Sequence, residues 1–97
     1  MDWLIALIAG LVGSAALALL VLSLDEIKSR ARSWWGSGTI VVVDPASEAE
    51  LARIAATKGS KRYRRFVFNK ATDECKLVES NSIAPELEHR SRVELQI

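Results

Sequence analysis

The sequence predicts a single N-terminal transmembrane α-helix joined to a small α+β domain, one helix packed on a mainly antiparallel sheet. Three observations predict it. Residues 3–24 contain no charged residue. A β-branched run at 39–44 is followed by a capped helical pattern. The last third of the chain holds short apolar segments separated by turn residues. The expected division is a membrane anchor over 1–24, an amphipathic helix and Gly-Ser hinge over 25–38, and a small cytoplasmic domain over 39–97.

The anchor is justified by length. As a helix, residues 3–24 would extend about 33 Å, enough to cross a hydrocarbon core of about 30 Å. A cleaved signal peptide fits less well, because the N-terminal flank carries Asp2 rather than basic residues and the core is long. Lys28, Arg30 and Arg32 follow the run. Basic residues are retained in the cytoplasm, which sets the N-terminus outside and the domain inside. Ala6, Gly10, Ser14 and Ala18 recur every fourth residue. That spacing would form one small-residue face for packing against another helix.

Beyond Leu24 the helical period continues through Ile27, Ala31, Trp34 and Trp35. Trp34 and Trp35 are expected at the membrane interface with Lys28, Arg30 and Arg32, opposite Trp3 at the far end. The alternative is that both tryptophans pack on the domain or on a partner. Gly36-Ser37-Gly38 ends the helix as a hinge.

In the domain, Thr39 to Asp44 reads as a buried strand, with Asp44 capping the next helix and Pro45 at its first position. Ser47 and Glu50 offer an alternative capping box. Leu51, Ile54 and Ala55 form the apolar face of a helix that runs to about Lys58 and ends at Gly59. Arg62–Asn69 and Cys75–Glu79 read as a hairpin turning around Ala71 to Glu74. Pro85 interrupts the chain, and Arg92 to Ile97 alternates with Val93, Leu95 and Ile97 on one face. The element order is β-α-β-β-β. A domain of this size buries only about 60% of its unfolded surface and gains from a partner.

Charge excludes little, since 13 basic and 12 acidic residues leave a net +1. One cysteine, Cys75, cannot close an internal disulfide. Cys75 and His89 are each the sole residue of their type, too few for the usual multi-ligand metal centre, and no catalytic set is legible. Lys58-Gly59-Ser60-Lys61 lacks the spacing of a phosphate loop. The distinctive feature is Lys58, Lys61, Arg62, Arg64, Arg65 and Lys70, with no acid among them and with Tyr63, Phe66 and Phe68 interleaved. Such a segment suits an anion, whether phospholipid head group, nucleotide or nucleic acid. The plainer reading is an edge strand kept from aggregation by its charge.

The function expected from these features is that of a non-enzymatic, single-pass accessory or regulatory subunit without a cofactor. It would contact the bilayer and dock on a membrane protein or on its own copies. The second reading is a membrane-tethered sensor that binds an anionic ligand, a nucleotide, nucleic acid or phospholipid, through the basic strand.

Overall fold

The computed structural model describes residues 15–97. Trp3, Ala6, Gly10 and Ser14 lie outside the described residues, so the small-residue face is represented there by Ala18 alone.

The apolar run does not continue as a helix through residue 24. Leu17–Ala18 form a short strand, β1. It pairs in parallel with β4 (Cys75–Ser80), Leu17 beside Val78 and Ala18 beside Glu79. Leu19 N donates to Glu79 O at 2.8 Å, Leu22 N to Ser82 O at 3.0 Å, and Leu22 O accepts from Ala84 N at 2.8 Å. Leu19 and Leu22 are buried in the domain's own core. Among the described residues no helix is long and apolar enough to cross a membrane. The anchor, its orientation and the single-pass membrane localisation are therefore corrected. At Leu19 and Leu22, hydrophobicity that the sequence assigned to lipid is satisfied by protein, and the backbone bonds that a helix would make internally go to β4 and the segment after it.

Helix α1, Leu24–Trp35, begins where that extended stretch stops. Ser23 caps it, its hydroxyl accepting from Glu26 N at 3.1 Å. Ile27 and Ala31 are fully buried on one side, as the 3.6 period requires. Gly36 closes the helix with φ 84, a backbone that L side chains rarely adopt, and its N–H reaches Arg32 O at 2.8 Å. The tryptophans pack on the domain. Trp35 Nε1 donates to Glu74 Oε1 at 2.6 Å. Lys76 Nζ sits 5.4 Å from the Trp34 ring centroid. These contacts occupy the residues that the sequence assigned to a membrane interface, while Arg30 and Arg32 are exposed on α1 and Lys28 is half-buried.

Strand β2, Thr39–Val43, is buried at Ile40, Val41, Val42 and Val43 alike. A strand buried on both faces needs cover on both, and that cover is present. Asp44 accepts from Ala46 N at 3.0 Å and starts a short 3-10 turn, Pro45–Ser47. Helix α2, Ala49–Lys58, follows without a side-chain cap, and Ser47 donates instead to Asp44 O at 2.7 Å. Strands β3 (Tyr63–Asn69) and β4 form the hairpin, with Phe66 opposite Leu77 and Phe68 opposite Cys75. A one-turn helix α3, Pro85–Glu88, leads to strand β5, Arg92–Gln96, which pairs antiparallel with β2.

The sheet order is β1-β4-β3-β2-β5. Val41, Val43, Phe66, Phe68 and Leu77 face α2, packing with Leu51 and Ala55. Ile40, Val42, Val67, Val78 and Val93 face the other way, with Ile27, Ala31, Leu22 and Leu87. The expectation of one helix on a mainly antiparallel sheet is thus corrected to a small α+β domain with a mixed five-stranded sheet covered on both sides. β3 lies in the middle of that sheet, so charge protection of an edge strand is also overturned.

The hairpin turn holds Asp73 at φ 60, strained for a side chain with a Cβ. Replacing Asp73 with glycine is expected to raise the unfolding free energy by about 0.5–1 kcal/mol, read as a higher urea midpoint at unchanged slope.

Candidate anion-binding cleft

The basic residues at the start of β3 owe their positions to strand alternation. Arg64 stands opposite Glu79 and shares the α2 side of the sheet with Phe66, whereas Arg65, opposite Val78, turns to the other side. A cleft of about 380 Å³ opens at the end of the sheet rather than over one face, so it collects side chains from both. Arg62, Tyr63, Arg64 and Arg65 line it, together with Asp44, Pro45 and Ala46 after β2, Ala52 and Ala55 of α2, and Ile83 and Glu88 near α3.

Arg65 is buried and held on several sides. Its Nη1 donates to Arg64 O at 2.7 Å, its Nη2 to Leu87 O at 3.2 Å, and Asp44 Oδ1 lies 3.6 Å from Nη1. Burial lowers its pKa and the Asp44 charge opposes that shift. The guanidinium starts from so high a value that it stays a cation. Its Nε is buried without a hydrogen-bond partner.

Arg64 is organised by a second carboxylate. Glu79 Oε1 lies 3.8 Å from Arg64 Nε and accepts from Ser60 N at 2.8 Å and Lys61 N at 2.9 Å. Gly59 makes this possible by its size. Its φ of −105 is ordinary, but a Cβ there would fall 2.7 Å from Arg64 Cδ and Nε and 2.9 Å from Glu79 Oε1. Arg64 Nε, like Arg65 Nε, is buried with no hydrogen bond. At the cleft mouth, Arg62 is exposed, with its guanidinium 5.1 Å from the Tyr63 ring centroid.

Of the six basic residues singled out in the sequence, the cleft gathers Arg62, Arg64 and Arg65. Lys58 ends α2, and Lys61 contributes its backbone to Glu79. Lys70, about 23 Å along the strand from Tyr63, pairs with Glu94 at 3.0 Å. Sequence reasoning missed Asp44, Glu79 and Glu88 as neighbours of these arginines. A signal for one of them existed, because pairing about a turn centred on Ala71–Thr72 sets Arg64 opposite Glu79. Cys75 lies in the α2-side core, where burial pushes its thiol pKa up and leaves it unreactive. His89 is exposed after α3, on a different element.

No family model, curated protein or solved structure matches this chain.

Proposed function

We propose that the chain is a non-catalytic recognition domain whose cleft at the start of β3 binds a small anion bearing a planar ring, of the mononucleotide class. The observation that carries this reading is that two of the arginines lining one cleft, Arg64 and Arg65, each keep a buried Nε without an acceptor. A buried donor without a partner costs free energy, which a ligand oxygen would recover if the guanidinium turned toward the cleft. A phosphate is the acceptor best matched to guanidinium forks. The Tyr63 ring and the Arg62 guanidinium plane at the mouth supply a stacking surface for a base. The volume falls within the range of small-molecule sites.

The lining also favours a compact ligand over a long one. Asp44 and Glu88 stand among the three arginines, so the cleft is not a continuous basic track. A polyanion is bound by such tracks, and its affinity falls steeply with salt. The accessory-subunit expectation relied on docking through a membrane helix, whereas the anion reading relies on residues that the fold brings together.

Titration calorimetry of the full chain with adenosine monophosphate, inorganic phosphate and a single-stranded oligonucleotide tests this. The monophosphate is expected to bind more tightly than phosphate, and the oligonucleotide no more tightly per site. Arg62→Ala, at an exposed position, is expected to weaken monophosphate binding about tenfold, the size of one charge-assisted contact. Absence of binding by all three at low salt, or a preference for the oligonucleotide, would overturn the proposal.

A further inference from the structure

Two acids line the cleft, and they differ in what they already hold. Asp44 Oδ1 accepts from Ala46 N at 3.0 Å and lies 3.6 Å from Arg65 Nη1. Glu88, the last residue of α3, is exposed and makes no hydrogen bond or ion pair among the described residues. Its place is fixed all the same. Ala84 N donates to Leu22 O at 2.8 Å just ahead of α3, and the Leu87 side chain is buried in the α1-side core. Leu87 O accepts from Arg65 Nη2 at 3.2 Å. A free carboxylate held in an anion cleft repels the ligand's phosphate. That cost is offset only where the ligand brings N–H donors to it.

Alternation along β3 decides which part of the ligand meets Glu88. Arg64 lies on the α2 side of the sheet, Tyr63 and Arg65 on the other. Tyr63 and Ile83 pack against the α1-side core, as does Leu87 beside Glu88. The stacking ring and the free carboxylate therefore share one side of the sheet, with Ile83 as an apolar neighbour in the same lining. A base stacked on Tyr63 turns an edge toward Glu88. Among the common bases, guanine alone sets two N–H donors side by side on one edge, N1–H and the N2 amino group, spaced for both oxygens of a carboxylate. Adenine and cytosine offer one amino group beside a bare ring nitrogen, and uracil one N–H flanked by carbonyl oxygens. Each of these brings a lone pair against the carboxylate. We propose that Glu88 reads the base edge and makes the cleft selective for a guanine mononucleotide. The inference rests on the mononucleotide reading of this cleft and adds the identity of the base.

Titration calorimetry of the full chain with guanosine, inosine, adenosine and deoxyguanosine monophosphates tests it. Guanosine monophosphate is expected to bind about tenfold more tightly than adenosine monophosphate, the scale of a bidentate base contact. Inosine monophosphate keeps N1–H but lacks the N2 amino group and should fall between them. Deoxyguanosine monophosphate should match guanosine monophosphate, because the contact is to the base and not to the ribose diol. Glu88→Gln, at an exposed position, should weaken guanosine monophosphate about tenfold and strengthen adenosine monophosphate, since it loses one acceptor of the fork and the charge that repels phosphate. Effects of opposite sign cannot come from a misfolded chain. Equal affinity of the parent for the guanine and adenine nucleotides would overturn the guanine assignment and leave the mononucleotide reading in place. So would a Glu88→Gln effect of the same sign on both, or a deoxyguanosine nucleotide that binds as weakly as the adenine one. Absence of binding by every monophosphate would overturn both.

Discussion

Leu22→Ala is expected to lower the unfolding free energy of the domain by about 2–5 kcal/mol, the usual range for a buried leucine cut to alanine. Leu22 is 0% exposed and packs in the α1-side core with Ile27, Val78 and Leu87. Its backbone is fixed on both sides, to Ser82 and Ala84, so the chain is poorly placed to collapse into the space left behind. Leu20, two residues earlier and 89% exposed, is the matched control. Leu20→Ala should shift stability by no more than about 0.5 kcal/mol. Denaturant unfolding of the full chain reads both. Two leucines so close in a lipid-facing helix would behave alike toward the domain, so equal small shifts would sink the placement of Leu22 in the core.

Glu79→Ala is expected to cost about 3 kcal/mol, the scale set by charge-assisted hydrogen bonds and by opening a buried ion pair. The carboxylate is nearly buried, its side chain 7% exposed, and one oxygen serves Ser60 N, Lys61 N and Arg64 together. Alanine leaves two backbone donors without that acceptor and the Arg64 guanidinium without its ion-pair partner. Glu79→Gln retains a carbonyl oxygen for the two N–H groups and loses only the charge, so its cost should be about 1 kcal/mol. Amide exchange at Ser60 and Lys61 separates the cases, with fast exchange expected in the alanine variant and near-parental protection in the glutamine variant. Equal losses in both variants would assign the effect to packing rather than to the acceptor.

How much of this was legible in the sequence depends on how local each determinant is. The β-branched run beginning at Thr39, the alternation at Val93, Leu95 and Ile97, and the turn between Phe68 and Cys75 are each encoded within a few residues. The corresponding strands lie where those patterns place them. The N-terminal run was misread because hydropathy measures aversion to water and does not say what replaces the water. Leu17 stands beside Val78, and Leu22 bridges to Ile83, partners that no window around residue 20 contains. One local warning was present. Ser23 and Glu26 have the spacing of a capping box just ahead of Ile27, which marks a helix start inside the span assigned to lipid. The cleft was half legible. Its arginines lie within four residues of one another, but the carboxylates that divide and orient them come from the turn after β2, from β4 and from α3.

The position of β1 beside β4 also places a demand on synthesis. Ser80 Oγ donates to Leu20 O across a separation of 60 residues, so β1, the earliest strand among the described residues, waits for β4. At about 5–20 residues per second, the interval before that partner is made is roughly 3–12 s. Throughout it Leu17, Leu19 and Leu22 have no β4 to lie against, and the hairpin that buries them is still incomplete. A nascent chain in that state shows targeting factors and chaperones the hydropathy profile of a membrane span. The finished domain no longer presents it at those positions.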